Sequence, residues 1–392
     1  MDDYYVLNIA FLLVFLVVYS VTQHRRLNSI KIDRVASGVL FLAFLLIIAL
    51  RPTTVRDTIA YMNLFNAMDS YQFTLGLGRN VGIAGNMEIG FMNLCKLTSL
   101  VSSSYRVFFF IVAFLSVGVG TLATILISAS ANDAPKAEYR ILPALMLFIS
   151  YYGFLDSGIA LRAGIAISFC LLSYAMIVRK QYVLSLIVYL LAFSFHNSVL
   201  VFLIVIAIYL IIPAMSIKTY RIIALAIIGL YFFRFFDLFQ ELIIQIARFL
   251  ADTIPFLSFF NSYLNGEFLT SGFLKTILLF IFEFVYLTFC FTDNISKKQK
   301  KNLNVIMIVS IIAALVGSFP VIVRILDILF VCMLPALYFT LVGIPKEERF
   351  SLGNSIAIRK YPICALVFGV IIVANFLLYS RLAGYLEIFG LV

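Results

Sequence analysis

Apolar runs of about 20 residues follow one another along the whole chain, and they constrain its fold more than any other feature. A soluble domain cannot bury a sequence that is 63% hydrophobic and only 12% charged. A helix can cross a bilayer because it satisfies its own backbone hydrogen bonds there. The sequence therefore predicts an all-α polytopic integral membrane protein, with a single membrane domain over residues 1–392.

About twelve segments have the length and apolar composition of a transmembrane helix. Residues 182–213 could instead form one helix, but it would be about 48 Å long and would invert every later loop. We therefore predict two short spans there, with His196 at a tip below the bilayer surface. The predicted spans are 4–22, 35–50, 107–128, 141–156, 163–178, 182–195, 198–213, 222–236, 275–292, 303–319, 325–343 and 361–379.

The distribution of lysine and arginine predicts the orientation, because cytoplasmic loops carry an excess of both. Alternate loops hold 18 of the 29 basic residues. This bias places both termini outside the membrane and leaves two longer extracytoplasmic loops, at 51–106 and 237–274. The loops assigned to the cytoplasm are 23–34, 129–140, 179–181, 214–221, 293–302 and 344–360.

Composition also limits the classes of ligand. The five cysteines have no pairing pattern and read as small hydrophobic residues. Two histidines cannot build a His-rich metal site, so we predict no metal and no cofactor, although a carboxylate-bound divalent ion stays open. The net charge of +10 reflects the loop bias, which anionic lipid attracts, and requires no nucleic-acid partner.

Several charged and polar residues fall on the extracytoplasmic face, where basic residues are otherwise disfavoured. Charges at the ends of apolar segments are costly unless they are partnered or functional. Their common side predicts a site for a charged substrate. The candidates are Arg51, Arg56, Asp57, Tyr61, Glu88, Arg162, His196 and Arg324.

The loop 51–106 carries most of these candidates. Arginine suits planar contacts with phosphate oxygens, although Arg51 alone could simply cap a span at the headgroups. Spacing four places Asp57, Tyr61 and Phe65 on one helical face. Glycines at 76, 78, 82, 85 and 90 predict a mobile loop. Glu88 then opens a short interfacial or re-entrant helix, where it could be only a partner of the helix dipole.

The other candidates also have structural alternatives. Arg162 could form a local ion pair with Asp156, and Arg324 could pair with Asp327 three residues later. A lone histidine such as His196 is often structural. In the loop 237–274, polar residues recur every three or four positions and predict an amphipathic interfacial helix, either a surface brace or a wall of a substrate groove.

The ordered set of short motifs resembles the EpsG-like branch of the Wzy family of O-antigen and exopolysaccharide polymerases. Arg51 and Arg56-Asp57 with aromatic residues at spacing four come first. Three motifs and a late arginine follow in order along the chain. These are Glu-x-Gly-Phe at 88–91, Leu-Arg-x-Gly-Ile-Ala at 161–166, Phe-His-x-Ser at 195–198, and Arg324 after Pro320.

The resemblance implies a glycosyltransferase at the outer face of the bacterial cytoplasmic (inner) membrane, with its active site facing the periplasm. It would join oligosaccharide repeat units carried on undecaprenyl diphosphate, without nucleotide sugar or metal, and a chain-length regulator is a candidate further partner. The arginines Arg51, Arg56, Arg162 and Arg324 would hold the diphosphate, and Tyr61 would contact substrate. His196, Asp57 and Glu88 are the candidate bases, ranked in that order.

Three other functions remain open at this stage. An O-antigen ligase shares the substrate and the face but uses another acceptor. A flippase or transporter of lipid-linked sugars would place charges near the midplane in matched halves, which the sequence does not show. A membrane scaffold would use the arginines only as headgroup anchors.

Overall fold

The structure is a computed structural model, and it describes most of the chain. Arg56 and Arg324 are among the residues outside the described part. The described residues are 2–22, 29–55, 57–77, 79–82, 85–132, 139–158, 160–233, 235, 242, 245–246, 248–250, 252–253, 271–290, 295–316, 326–342, 349–352, 356–359 and 369–370.

The contacts divide the chain into two compact units, Met1–Leu200 with Leu337–Val392, and Val201–Ala336. The first unit contains ten helices and two β-hairpins among its described residues. They are α1 (Asp2–Thr22), α2 (Ile30–Ala49), α3 (Thr58–Asn66), β1 (Arg79–Gly82), β2 (Gly85–Glu88), α4 (Ile89–Val101), α5 (Tyr105–Ala113), α6 (Val119–Asn132), α7 (Ile141–Phe148), α8 (Phe154–Gly158), α9 (Leu161–Val178), α10 (Tyr182–Phe195), β3 (Arg349–Leu352) and β4 (Ile356–Arg359).

Helices α5 and α6 form one continuous helix, joined by a π-helical turn at Phe114–Gly118. Helices α7 and α8 are joined in the same way by a π-helical turn at Ile149–Gly153. Helix α9 packs between α6 and α10. A tight turn joins α9 to α10, in which Lys180 adopts a positive φ of 63° and the amide of Gln181 donates to the carbonyl of Met176. This is a Schellman ending, and it makes α9 and α10 an antiparallel pair.

A long-range helix cap closes the same end of this unit. The carboxylate Oδ2 of Asp33 accepts hydrogen bonds from the backbone amides of Ile141 and Leu142, at 2.7 and 3.4 Å. A carboxylate at a helix N-terminus satisfies amides that have no partner within the helix. Asp33 therefore ties the start of α2 to the start of α7.

The second unit contains α11 (Phe202–Ile211), α12 (Ile217–Phe232), α13 (Ser271–Cys290) and α14 (Lys297–Val316). Ser296 and Gln299 form a reciprocal capping box at the start of α14. The Tyr220 hydroxyl lies 2.5 Å from Oδ1 of Asn304, which links α12 to α14. The chain passes from the first unit to the second after Leu200 and returns to the first within α15 (Leu334–Val342).

The helical prediction is confirmed in part. Each predicted span from 4–22 to 325–343 overlaps a described helix, and 361–379 lies outside the described residues except for 369 and 370. Three described helices are long and apolar enough to cross a membrane: Ile30–Ala49, Tyr105–Ser130 and Leu161–Val178. The span count, the orientation, the loops 51–106 and 237–274 and the single domain stay predictions.

Two predictions about the loops need correction or fall outside the structure. The glycine-rich stretch is not loop throughout: β1 and β2 form an antiparallel hairpin that pairs Arg79 with Glu88, and Gly90 lies in the first turn of α4. The mobility of the stretch stays a prediction. The amphipathic helix predicted in 237–274 lies largely outside the described residues.

Candidate functional site

Four helix ends of the first unit bring Tyr61, Glu88, Arg162 and His196 together. Glu88 is the N-cap residue of α4, Arg162 lies in the first turn of α9, and His196 is the C-cap residue of α10. Tyr61 comes from α3 and hydrogen-bonds with Arg162. Side chains from separate parts of the chain therefore meet at one place.

The carboxylate of Glu88 is the centre of this cluster. Its Oε2 accepts a hydrogen bond from Nη1 of Arg162 at 2.5 Å, and its Oε1 lies 3.2 Å from Nδ1 of His196. The carboxylate makes no capping bond to α4. Glu88 therefore interacts with two side chains and is more than a partner of the α4 helix dipole. Arg162 forms its ion pair with Glu88 and not, as the sequence also allowed, with Asp156.

Exposure differs sharply within the cluster. The side chain of Glu88 is 0% exposed, whereas those of Arg162 and His196 are 26% and 21% exposed. The carboxylate of Glu88 thus forms the buried bottom of the site, which we call its floor. The side chains of Arg162 and His196 reach the solvent-exposed side. An arriving substrate meets Arg162 and His196 before it could meet Glu88.

The electrostatics of the cluster keep Glu88 ionised. Burial alone raises the pKa of Glu88, but the hydrogen bond with His196 and the positive charge of Arg162 outweigh burial and lower the pKa to about 2. Burial raises the pKa of the Tyr61 hydroxyl, and Arg162 offsets only part of that effect. At neutral pH the floor is a carboxylate and Tyr61 is a neutral hydroxyl.

The contact with Glu88 also fixes which nitrogen of His196 carries a proton. An ionised carboxylate can only accept hydrogen bonds, so Nδ1 of His196 must be the donor. In the neutral imidazole, Nε2 then holds the lone pair. This arrangement leaves a basic nitrogen on the ring edge opposite Glu88.

Aromatic packing supports the cluster from below. The ring of Tyr61 meets Phe91 edge to face at 5.6 Å between centroids, and Phe91 meets Phe108 in the same way at 5.5 Å. Phe91 and Phe108 are fully buried. These contacts fix α3 and α4 against α5, so Tyr61 and Glu88 have little freedom to separate.

Arg51 lies beside this cluster in a different role. It is 3% exposed, its guanidinium carbon lies 3.7 Å from the centre of the Phe109 ring, and Nη1 donates to the carbonyls of Ser157 and Gly158. A cation at the end of a helix satisfies its last carbonyl groups. Arg51 thereby holds the end of α8, next to the start of α9 and Arg162.

Two glycines permit the close approach of these helix ends. A Cβ atom on Gly90 would lie 2.8 Å from the backbone oxygen of Ser194, and one on Gly164 would lie 2.6 Å from that of Asp156. Side chains do not tolerate such distances to backbone. Gly90 therefore lets α4 meet α10, and Gly164 lets α9 meet α8.

These two glycines were not among the predicted site residues. Each lies two positions after a charged member of the cluster, Gly90 after Glu88 and Gly164 after Arg162. The repeated charge-x-glycine pattern was the signal that could have identified them.

Asp57 is near this cluster but does not share the face of Tyr61 as the spacing predicted. Helix α3 begins at Thr58, and Asp57 precedes it with a positive φ of 62°. Tyr61 and Phe65 are buried, whereas Asp57 is exposed. Aspartate is one of the few residues that adopt this left-handed conformation at low cost.

The remaining predicted site residues, Arg56 and Arg324, lie outside the described part of the chain, so their positions stay predictions. Among the described residues, no group of three or more histidine, cysteine, aspartate or glutamate side chains is arranged to hold a metal ion. The described site thus consists of an acid, a cation, an imidazole and a phenol.

Comparison with protein families identifies one match over nearly the whole chain. The model of the EpsG family matches residues 35–385. No curated protein and no solved structure matches the chain. The chain belongs to the EpsG family, as its ordered motifs predicted.

Proposed function

We propose that this EpsG-family membrane protein is a glycosyltransferase that polymerises oligosaccharide repeat units carried on undecaprenyl diphosphate. The family itself indicates a polysaccharide polymerase-like membrane protein. The observation that carries the proposal is the Glu88–Arg162–His196 cluster, which presents a cation and a basic imidazole side by side. Transfer of a sugar from a diphosphate needs both.

In the proposed reaction, Nε2 of His196 removes the proton from a hydroxyl of the acceptor sugar. The hydroxyl oxygen forms a new bond to the anomeric carbon of the donor chain, and the bond from that carbon to the diphosphate breaks. The polyprenyl diphosphate leaves with the electron pair. The proton stays on His196 until water takes it, while the charge of Glu88 attracts the imidazolium.

The arginines stabilise the negative charge that develops on the leaving diphosphate. Arg162 has donors beyond those that contact Glu88 and Tyr61, and its side chain is 26% exposed. The start of α9 adds the positive end of its dipole. We assign direct contact to Arg162, Arg56 and Arg324. Arg51 contributes its charge and holds the end of α8.

The geometry favours His196 as the base over the two acids. Both oxygens of Glu88 are engaged, and its low pKa makes it a poor proton acceptor at neutral pH. Asp57 is exposed, and among the described residues no hydrogen bond joins its carboxylate to the cluster. Glu88 is the orienting residue in this scheme, and Tyr61 positions Arg162 and contacts substrate.

The proposed location is the bacterial inner membrane, with the cluster on the outer face. Substrates with polyprenyl tails would then enter sideways from the membrane, and their diphosphates would lie at the level of the helix ends. The apolar helices support a membrane location, and the charge distribution of the loops supports the orientation.

The test uses purified protein in liposomes supplied with lipid-diphosphate-linked repeat units, without nucleotide sugar or metal. We expect a ladder of products with increasing repeat number. Arg162→Ala and His196→Ala should each lower the rate by about 10²–10⁴-fold. The matched control is Arg106→Ala, an exposed arginine in the first turn of α5 outside the cluster, which should leave the ladder intact.

Other outcomes would replace the proposal. Transfer of a repeat unit to an added non-lipid acceptor, without a ladder, would indicate a ligase. Movement of the lipid-linked sugar across the bilayer without new bonds would indicate a transporter. A ladder that Arg162→Ala and His196→Ala leave unchanged would remove the cluster from the active site, and no activity of any kind would favour a scaffold.

A further inference from the structure

A short segment beside the cluster presents large apolar side chains outward. Phe73, Leu75 and Leu77 alternate along residues 72–77 and are 52%, 100% and 54% exposed. Leaving such side chains in water is unfavourable relative to burying them. Three in succession therefore suggest that the surroundings of this segment are apolar.

The segment is held in place and is not a loose tail. Oδ1 of Asn93 accepts hydrogen bonds from the hydroxyl of Tyr71 and the amide of Thr74, and Nδ2 donates to the carbonyl of Thr74 at 2.8 Å. Gly76, at a φ of 157°, packs against Ile89 of α4. The outward direction of the apolar side chains is thus built into the fold.

Helix α4 continues this apolar surface. Leu97 and Leu100 follow Asn93 at spacings of four and seven, so they share the face on which the segment is anchored. They are 53% and 65% exposed, and Val101 beside them is 82% exposed. We call the whole set the α4 apolar surface; it consists of Phe73, Leu75, Leu77, Leu97, Leu100 and Val101.

The length of α10 sets the depth of this surface. Helix α10 has 14 residues and is about 21 Å long, whereas the hydrocarbon core is about 30 Å thick. Its end at His196 therefore lies below the headgroups if its start lies at the opposite interface. Because Gly90 packs on Ser194, the start of α4 lies at the depth of that end.

From these observations we propose that acyl chains of the leaflet on the cluster's side cover the α4 apolar surface. The segment 72–77 and α4 would lie inside the leaflet and keep Glu88 and His196 below the headgroups, at the depth of the end of α10. The partner is bilayer lipid, recognised by apolar contact. The proposal does not depend on the glycosyltransferase activity.

The chain contains no tryptophan, so a single introduced tryptophan reports on its own surroundings. We would place Leu75→Trp in nanodiscs made with brominated phosphatidylcholine, which quenches only through lipid contact, and then titrate acrylamide from the water. Ile187→Trp, exposed on the apolar helix α10, is the lipid-facing control. Lys297→Trp, exposed at the start of α14, is the water-facing control.

We expect Leu75→Trp and a second probe, Leu100→Trp, to be quenched by the brominated lipid to the same extent as Ile187→Trp and to resist acrylamide. Quenching by acrylamide equal to that of Lys297→Trp would overturn the proposal, since the surface would then face water. Resistance to both quenchers would also overturn it, because protein would then cover the surface. Both positions are exposed, so folding should tolerate the larger ring.

Discussion

At the scale of single residues, the site depends on how one buried carboxylate is shared. Glu88 uses one oxygen for Arg162 and the other for His196, and each partner keeps an exposed edge. A buried charge that loses a partner typically costs about 3–5 kcal/mol. Removal of either partner therefore combines a loss of stability with any loss of turnover, and a substitution is needed that separates the two effects.

His196→Asn provides that separation. The asparagine amide can donate to Glu88 from about the position of Nδ1, but it offers no nitrogen in the position of Nε2. We expect a protein that unfolds near the wild-type temperature yet has lost about 10²–10⁴-fold of its polymerisation rate. His196→Ala should lose both stability and rate. Equal loss of stability in the two variants would argue against the assigned hydrogen bond.

At the scale of elements, close contacts between helix ends decide whether these residues meet. The sequence predicted the helix opened by Glu88 and the short helices on either side of His196, because each depends on apolar length or local charge. It did not predict that Glu88 pairs with Arg162 across 74 residues. That pairing follows from how α4, α9 and α10 pack, which no short motif encodes by itself.

Gly90→Ala tests the role of that packing. The added methyl group would press on the backbone of Ser194, so α4 must move away from α10 and carry Glu88 away from His196. We expect a destabilisation of about 1–3 kcal/mol and a fall in polymerisation rate. Measurements of thermal unfolding and of ladder formation on the same preparation would show both.

The matched control for this change is Gly38→Ala in α2. A Cβ atom there meets nothing within 4 Å. Alanine should therefore keep or raise stability, by up to about 1 kcal/mol, because it favours a helix over glycine. A Gly90→Ala protein that behaved like Gly38→Ala would show that the α4–α10 contact is not needed.

At the scale of the whole molecule, the ionised cluster should make stability depend on pH in a defined window. The pKa of Glu88 is lowered from an ordinary 4.5 to about 2, so its contribution is complete above about pH 4.5 and is lost as the pH falls toward 2. The shift corresponds to roughly 3 kcal/mol. In Glu88→Gln this contribution is absent at every pH.

Thermal unfolding of the two proteins in detergent, compared from pH 7 to pH 2, measures this effect. We expect the wild type to unfold at the higher temperature at neutral pH and the difference to shrink below pH 4.5. A difference that stayed constant down to pH 2 would mean that Glu88 is not held as a carboxylate by its neighbours.

The cluster also imposes an order on how the protein is made. Glu88 leaves the ribosome before Arg162, and His196 follows 108 residues after Glu88. At synthesis rates of about 5–20 residues per second, Glu88 waits roughly 5–20 seconds for both partners. During that interval an ionised carboxylate cannot settle among apolar side chains, so the segment around α4 must stay hydrated. The loop 51–106 can therefore dock against α9 and α10 only after both helices have been translated. A ribosome that stalls before residue 196 leaves this loop undocked and open to proteases.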